Sequence, residues 1–379
     1  MRRYPNLLLF AAIIACSATF AHGADYSVSL IAAGPAQTTT YAGSINNSGQ
    51  ITGYFQARTP HVIYGFIYEN GTVFDMSTLG YLDSYVTGIN NSGTATGYFI
   101  TFDSPERYAF LYSQEGGLIV LGSLGGGSAS LGISAAGHVT GYSYSADYST
   151  YHAFLYSNGT MKDLGTLGGI TSTGKAVNAN GQVVGESWLA DGQTIHAFLS
   201  SNGIMTDLGT LGGPFSGATA INDAGQITGY ADRADFVQYS NIASRYARHA
   251  YLYDNGEMID LGTLGGAFSI GMAINNLGQV VGSSNPTPLE YNTHAFLYTD
   301  DRMIDLNMLI DPDSGWILLE ATGINDAGQI VGNGYFNGIP HAFLLTPTDG
   351  RYDLSSVPEP ATLPILALAA LALIRRRRA

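Results

Sequence analysis

The chain has 379 residues, including 49 glycines and 25 tyrosines, with only 12% charged residues and a net charge of −14. Setting aside both termini leaves nine basic and 28 acidic residues in 24–357, a balance near −19. Such a surface repels phosphate backbones and argues against nucleic acid as a partner. The sole cysteine, Cys16, lies near the N-terminus, so the folded body must rely on packing and ladder hydrogen bonds rather than disulfides.

Residues 1–23 read as a signal peptide: Arg2 and Arg3, the apolar run Leu7 to Ala15, then Ala21-His22-Gly23 as a small-residue cleavage site. Ile13-Ile14-Ala15-Cys16 leaves a lipoprotein signal open as an alternative. From there to residue 346 one cassette of about 44 residues recurs seven times. Its HAF-type element starts at Tyr64, Tyr108, His152, His196, His249, His294 and His341. Its I-N-x-x-G-Q element starts at Ile45, Ile89, Ile133, Val177, Ile221, Ile274 and Ile324. A fixed period of this length signals an array in which each unit buries its apolar face against its neighbours.

The copy at His152 shows how a unit should fold. His-Ala-Phe-Leu-Tyr is a strand, and Asn158-Gly159 a type I′ hairpin turn. Thr160–Leu167 returns, Gly168-Gly169 ends it, Thr173–Val177 is a third strand, and Asn178 to Gly181 turns into a fourth at Gln182–Gly185. Four antiparallel strands are what one β-propeller blade requires. The last copy lacks the DLGTLGG strand, while Tyr26–Pro35 precedes the first I-N element at a matching spacing. The N-terminal segment is therefore expected to complete the last blade and remove exposed sheet edges. The expected fold is all-β: a seven-bladed propeller of four-stranded antiparallel blades over 24–346, followed by a linker at 347–356.

Copy lengths vary between the fourth strand and the next HAF strand, and the longest such segment spans 230–248. Variable loops on one rim of a rigid scaffold are where binding is expected. Tyr144, Tyr148, Trp188, Asp232, Asp235, Phe236, Tyr239 and Tyr246 are the candidate ligand-binding residues there. Aromatic faces beside carboxylates suit sugars, which stack on rings and donate hydroxyl protons to acids. The competing reading is that these tyrosines cover half-buried strand edges. The five histidines that open HAF strands invite a metal reading. Tyrosine replaces two of them without a change of spacing, so a repeated hydrogen-bonding role fits better. No catalytic residue, metal or cofactor is expected; a glycan-active enzyme would need Asp232, Asp235 and Glu290 to converge.

At the C-terminus, Val357-Pro358-Glu359-Pro360 precedes the apolar Ala361–Ile374 and the cluster Arg375, Arg376, Arg377 and Arg378. Fourteen helical residues span about 21 Å, short of a hydrocarbon core of roughly 30 Å, which suits a transient anchor in the inner membrane. Residues 357–379 resemble a PEP-CTERM sorting signal. That resemblance implies a Gram-negative bacterium, export, recognition by an exosortase near Pro358-Glu359-Pro360, and association with exopolysaccharide or biofilm matrix. The body resembles the HAF-repeat family of extracellular proteins, which implies no catalytic residues. The function expected is a non-catalytic surface or matrix protein binding exopolysaccharide, with a protein–protein adhesion module as the alternative.

Overall fold

The computed structural model describes residues 25–34, 38–56, 62–81, 83–101, 104–240, 243–287 and 292–348. Both terminal signals and Glu290 lie outside them. Among the described residues the regular structure is almost all β-strand, with two short 3-10 turns.

The cassette folds as four consecutive antiparallel strands, but its phase differs from the sequence reading. A unit starts at the Gly-Gly pair, with Gly168–Val177 innermost, then Val183–Leu189, Ile195–Ser201 and a short outer strand Ile204–Asp207. The HAF strand is thus third. The expected return strand Thr160–Leu167 stops at Asp163, because the Asp163 carboxylate accepts from the Gly165 N–H at 2.7 Å and Gly165 takes φ 72°. The hairpin turns behave as expected. Asn158 and Gly159 have φ 51° and 78°, the paired positive values of a type I′ turn.

The sheets are not all separate. Four hold four strands each, and one holds twelve. The large one joins three four-strand runs through the single parallel pairs Tyr151↔Thr171 and Ile195↔Phe215. Tyr26–Ile31 pairs antiparallel with Ile339–Pro347, from Tyr26↔Pro347 to Ile31↔Ala342, and completes the last sheet as its spacing predicts. Tyr26 is fully buried there, and its hydroxyl donates to the Gly328 carbonyl at 3.3 Å.

The innermost strands follow one another in a closed circuit, with Thr39–Ile45 against Trp316–Ile324. The asparagine of the I-N element ties this circuit. In Asn46 the side-chain oxygen accepts from the Ser48 and Gln50 N–H groups and holds its own turn. Its Nδ2 donates to the Asn90 carbonyl of the next copy at 2.8 Å. The same link runs from Asn90 to Ser134, from Asn178 to Asn222, then to Asn275, Asn325 and back to Asn46. Ser134 stands where the other copies have asparagine. Its hydroxyl accepts from the His138 N–H within its own turn, and is too short to span to the next copy.

The core lies between sheets rather than at a single centre. The HAF phenylalanine is fully buried in every copy that has one, from Phe66 to Phe343. Phe154 packs with Val139 of its own copy and with Ala109 and Leu121 of the preceding one. Burying each such ring stabilises by about 1.5–3 kcal/mol, but only when the neighbouring sheet is present. Close approach explains the glycine at the centre of each second strand. A bulge in the facing inner strand brings a carbonyl oxygen against the space where a Cβ would project at Gly53, Gly97, Gly141 and Gly185. No other residue fits.

One copy departs from this pattern. Tyr251 occupies the phenylalanine position, fully buried, and among the described residues its hydroxyl has no hydrogen-bond partner. An unsatisfied buried hydroxyl costs about 1–3 kcal/mol. Tyr251→Phe is expected to stabilise the protein by about 1 kcal/mol, read as a higher thermal or denaturant midpoint. A lower midpoint would show that the hydroxyl is satisfied.

Candidate functional site

Alternating strand direction sorts the connections onto two rims. The asparagine turns and the Asn-Gly hairpins share one. The Gly-Gly crossovers and the connections between second and third strands share the other.

On the first rim, the I-N elements surround a polar cavity of about 190 Å³. Its polar groups already serve the scaffold. The Asp223 carboxylate accepts from the Ala179 N–H, and the Asp326 carboxylate from the Asn276 N–H and the Asn47 amide. Burial opposes ionisation of Asp326, yet these donors outweigh it and hold its carboxyl below the ordinary value.

The opposite rim holds the predicted residues, and most of them sit on strands rather than in loops. Tyr144 ends the strand Val139–Tyr144, and Tyr148, 46% exposed with φ 58°, sits in the turn that follows. Trp188 is half-buried in the strand Val183–Leu189, apart from that pair. The expected long loop at 230–248 is an extended hairpin of Ile227–Ser240 and Ala243–Asp254. Its aromatic and β-branched residues continue the ladder, with Phe236 opposite Tyr246 and their rings 4.0 Å apart. The Tyr239 backbone lies in the first of these strands, while its side chain lies outside the described set.

Burial and pairing give the two hairpin carboxylates structural partners. Asp232 is 3% exposed and pairs with the Arg248 guanidinium at 2.7 Å. Asp235 pairs with Arg233 at 2.8 Å. Arg248 also lies 4.4 Å from the Tyr230 ring, and the Tyr230 hydroxyl donates to Glu186, which pairs with Lys175 at 3.3 Å. Burial first, and then Glu186, push the Tyr230 phenol up.

A larger aromatic cluster forms where sequence reasoning named only parts of it. Tyr41, Tyr54, Tyr85 and Tyr98 follow one another across two sheets with ring separations of 4.9, 5.2 and 4.8 Å. Arg107 lies 5.4 Å from the Tyr98 ring and 5.9 Å from the Tyr142 ring, and its Nη1 donates to the Tyr142 hydroxyl. Tyr142 then meets Tyr144 and Tyr151, and Tyr144 meets Tyr148 at 5.5 Å. Burial, then Tyr85, push the Tyr98 phenol up to about 12 against the opposing Arg107. The Tyr98 hydroxyl therefore stays protonated at physiological pH, a neutral donor beside apolar ring faces. The missed signal is a tyrosine directly after the close-packed glycine, at Tyr54, Tyr98, Tyr142 and Tyr230.

The strand-opening histidines pair with the aspartate of the DLG segment on the adjacent outer strand. His152 with Asp163, His196 with Asp207 and His294 with Asp305 meet at 3.0, 2.9 and 2.6 Å. Among the described residues His341 has no such partner for its Nδ1, because the strand beside it is Tyr26–Ile31, which carries no aspartate. Among the described residues, no three His, Cys, Asp or Glu side chains gather into a group that could hold a metal.

Residues 356–378 match the PEP-CTERM protein-sorting motif. This is the recognition signal of exosortases, and it marks the chain for export with transient membrane anchoring through its C-terminus. No curated protein matches the chain. Among solved structures, it is similar to TolB from Acinetobacter baumannii, with 13% identity and a TM-score of 0.40, covering 72% of this chain and 62% of TolB. It is also similar to the β-propeller domain of the Trilobed protease from Pyrococcus furiosus, with 8% identity and a TM-score of 0.45, covering 82% and 84% of the two chains. The fold is all-β.

The histidine–aspartate pairs make a pH prediction. Burial alone would raise the Asp260 carboxyl, but the His249 hydrogen bond, the Gly262 N–H and Arg233 outweigh it and hold it below 3.8. A depressed folded value stabilises above the unfolded value, and that contribution fades as pH falls through the folded one. Asp260→Asn should therefore cost stability at neutral pH, and the difference should shrink below pH 3.8. Denaturant titrations at pH 7 and pH 3 giving the same difference would contradict the assignment.

Proposed function

We propose that the protein is a non-catalytic, seven-bladed β-propeller that binds or organises extracellular polysaccharide at the cell surface or in the matrix of a Gram-negative bacterium. The observation that carries this reading is the tyrosine cluster running from Tyr41 through Tyr98 and Arg107 to Tyr148. Ring faces and phenol hydroxyls offer stacking surfaces and hydrogen bonds along an extended edge, which suits a linear polymer better than a small enclosed substrate. The resemblance of the cassette to the HAF-repeat family and the sorting signal agree with this. Seven four-strand runs, with the N-terminal strand completing the last, support the blade count.

A non-catalytic role fits the state of the candidate acids. Asp232 and Asp235 are each engaged by an arginine, and an acid/base pair for glycoside hydrolysis needs free carboxyls facing one substrate. A second reading, adhesion to another surface protein, rests on Phe236, which is 61% exposed against Tyr246 on the extended hairpin.

Retention of the purified exported protein on the host's exopolysaccharide tests the proposal. Tyr144→Ala and Tyr148→Ala together should weaken retention about tenfold, equivalent to ~1.4 kcal/mol. Absence of retention by the unaltered protein, or equal retention by the variant, would remove the glycan reading. Loss on Phe236→Ala of adhesion to a surface protein would favour the second.

A further inference from the structure

Resting on that glycan reading, we propose that the tyrosine cluster selects an acidic polysaccharide, with Arg107 as the site for the carboxylate of a uronic acid unit. The argument starts from the pairing of cations. Elsewhere in the array Lys175 pairs with Glu186, Arg233 with Asp235 and Arg248 with Asp232. Arg107 differs. It is exposed, and among the described residues its partners are phenols rather than carboxylates.

The side chain is nevertheless held in place. Its guanidinium lies between the Tyr98 and Tyr142 rings and donates one N–H to the Tyr142 hydroxyl. A guanidinium has five N–H donors in a planar fork, so the remainder stay available in a geometry that matches a carboxylate bidentately. The neighbouring Glu106 has its two oxygens engaged by the Tyr148 and Tyr108 hydroxyls. Tyr144 and Tyr151 extend the ring surface beside the fork, 5.5 Å apart, where pyranose faces can stack. An ordered, unneutralised arginine in a domain of net charge near −19 is a place where an anion gains and a neutral sugar does not.

The net charge makes the expectation sharp, since without Arg107 this surface should prefer the neutral polymer. The experiment compares polygalacturonate with its carboxyl-reduced, neutral counterpart of the same length, using the exported protein in the presence of EDTA to remove bridging divalent ions. The unaltered protein should bind the acidic polymer about tenfold more tightly. Arg107→Met should abolish that preference at an unchanged thermal midpoint, and Arg107→Lys should restore part of it, because lysine offers charge without the fork. Equal binding of both polymers by the unaltered protein, a preference that survives Arg107→Met, or a preference that vanishes with EDTA would each overturn the assignment and leave the glycan reading standing. Binding of neither polymer nor the host's own exopolysaccharide would overturn both.

Discussion

The structure depends on one side chain doing two jobs. Each I-N asparagine folds its own turn with its oxygen and reaches the next copy with its nitrogen, as Asn325 does to Asn46 across the two ends of the array. A hydrogen bond of this kind contributes about 0.5–1.5 kcal/mol net, while a buried polar group left unpaired costs about 1–3 kcal/mol. The links are therefore worth more as a constraint than as a sum. Every copy must present its carbonyl at the same height and distance to its predecessor, and that requirement sets how the sheets stand around the axis. At Ser134 the chain gives up the side-chain link to Asn178, while the sheets on either side are joined by the parallel pair Tyr151↔Thr171.

Local chemistry was legible in the sequence where one residue type answers one backbone demand. Asn-Gly marked the I′ hairpins, and the partial last copy marked the pairing of Tyr26–Ile31 with Ile339–Pro347. Non-local pairing was not legible. Nothing local distinguishes a loop from a ladder at 230–248, where Phe236 finds Tyr246 ten residues away across a hairpin. Nor does spacing reveal that Asp232 is buried against Arg248, or that single parallel pairs merge three sheets into one. The histidine role was half visible. Tyrosine substitution argued against metal, but the DLG aspartate as partner emerges only when the two strands lie side by side.

The same limit applied to the candidate site. Tyr144 and Tyr148 were named from their position between strands, and they do sit together. The longer cluster draws its rings from three successive copies, so no window of the sequence contains it, and Arg107 joins it from the third strand of one unit to the second strand of the next. A scaffold that repeats its constraints in every copy leaves variation free where no copy is obliged to match its neighbour. Here that freedom lies on the rim away from the asparagine belt.

Closure of the array is the claim on which the rest stands, and the paired terminal strands allow it to be tested directly. Ser27 lies opposite Thr346 in the final sheet, and neither belongs to the buried core. Directly opposed strand residues fall within the Cα separation a disulfide requires, about 4.4–6.8 Å. Ser27→Cys combined with Thr346→Cys should therefore form one intramolecular disulfide on mild oxidation, seen by non-reducing mass spectrometry of proteolytic fragments, with the fold retained. Two free, titratable thiols in the folded, oxidised protein would show that the N-terminal strand does not complete the last sheet.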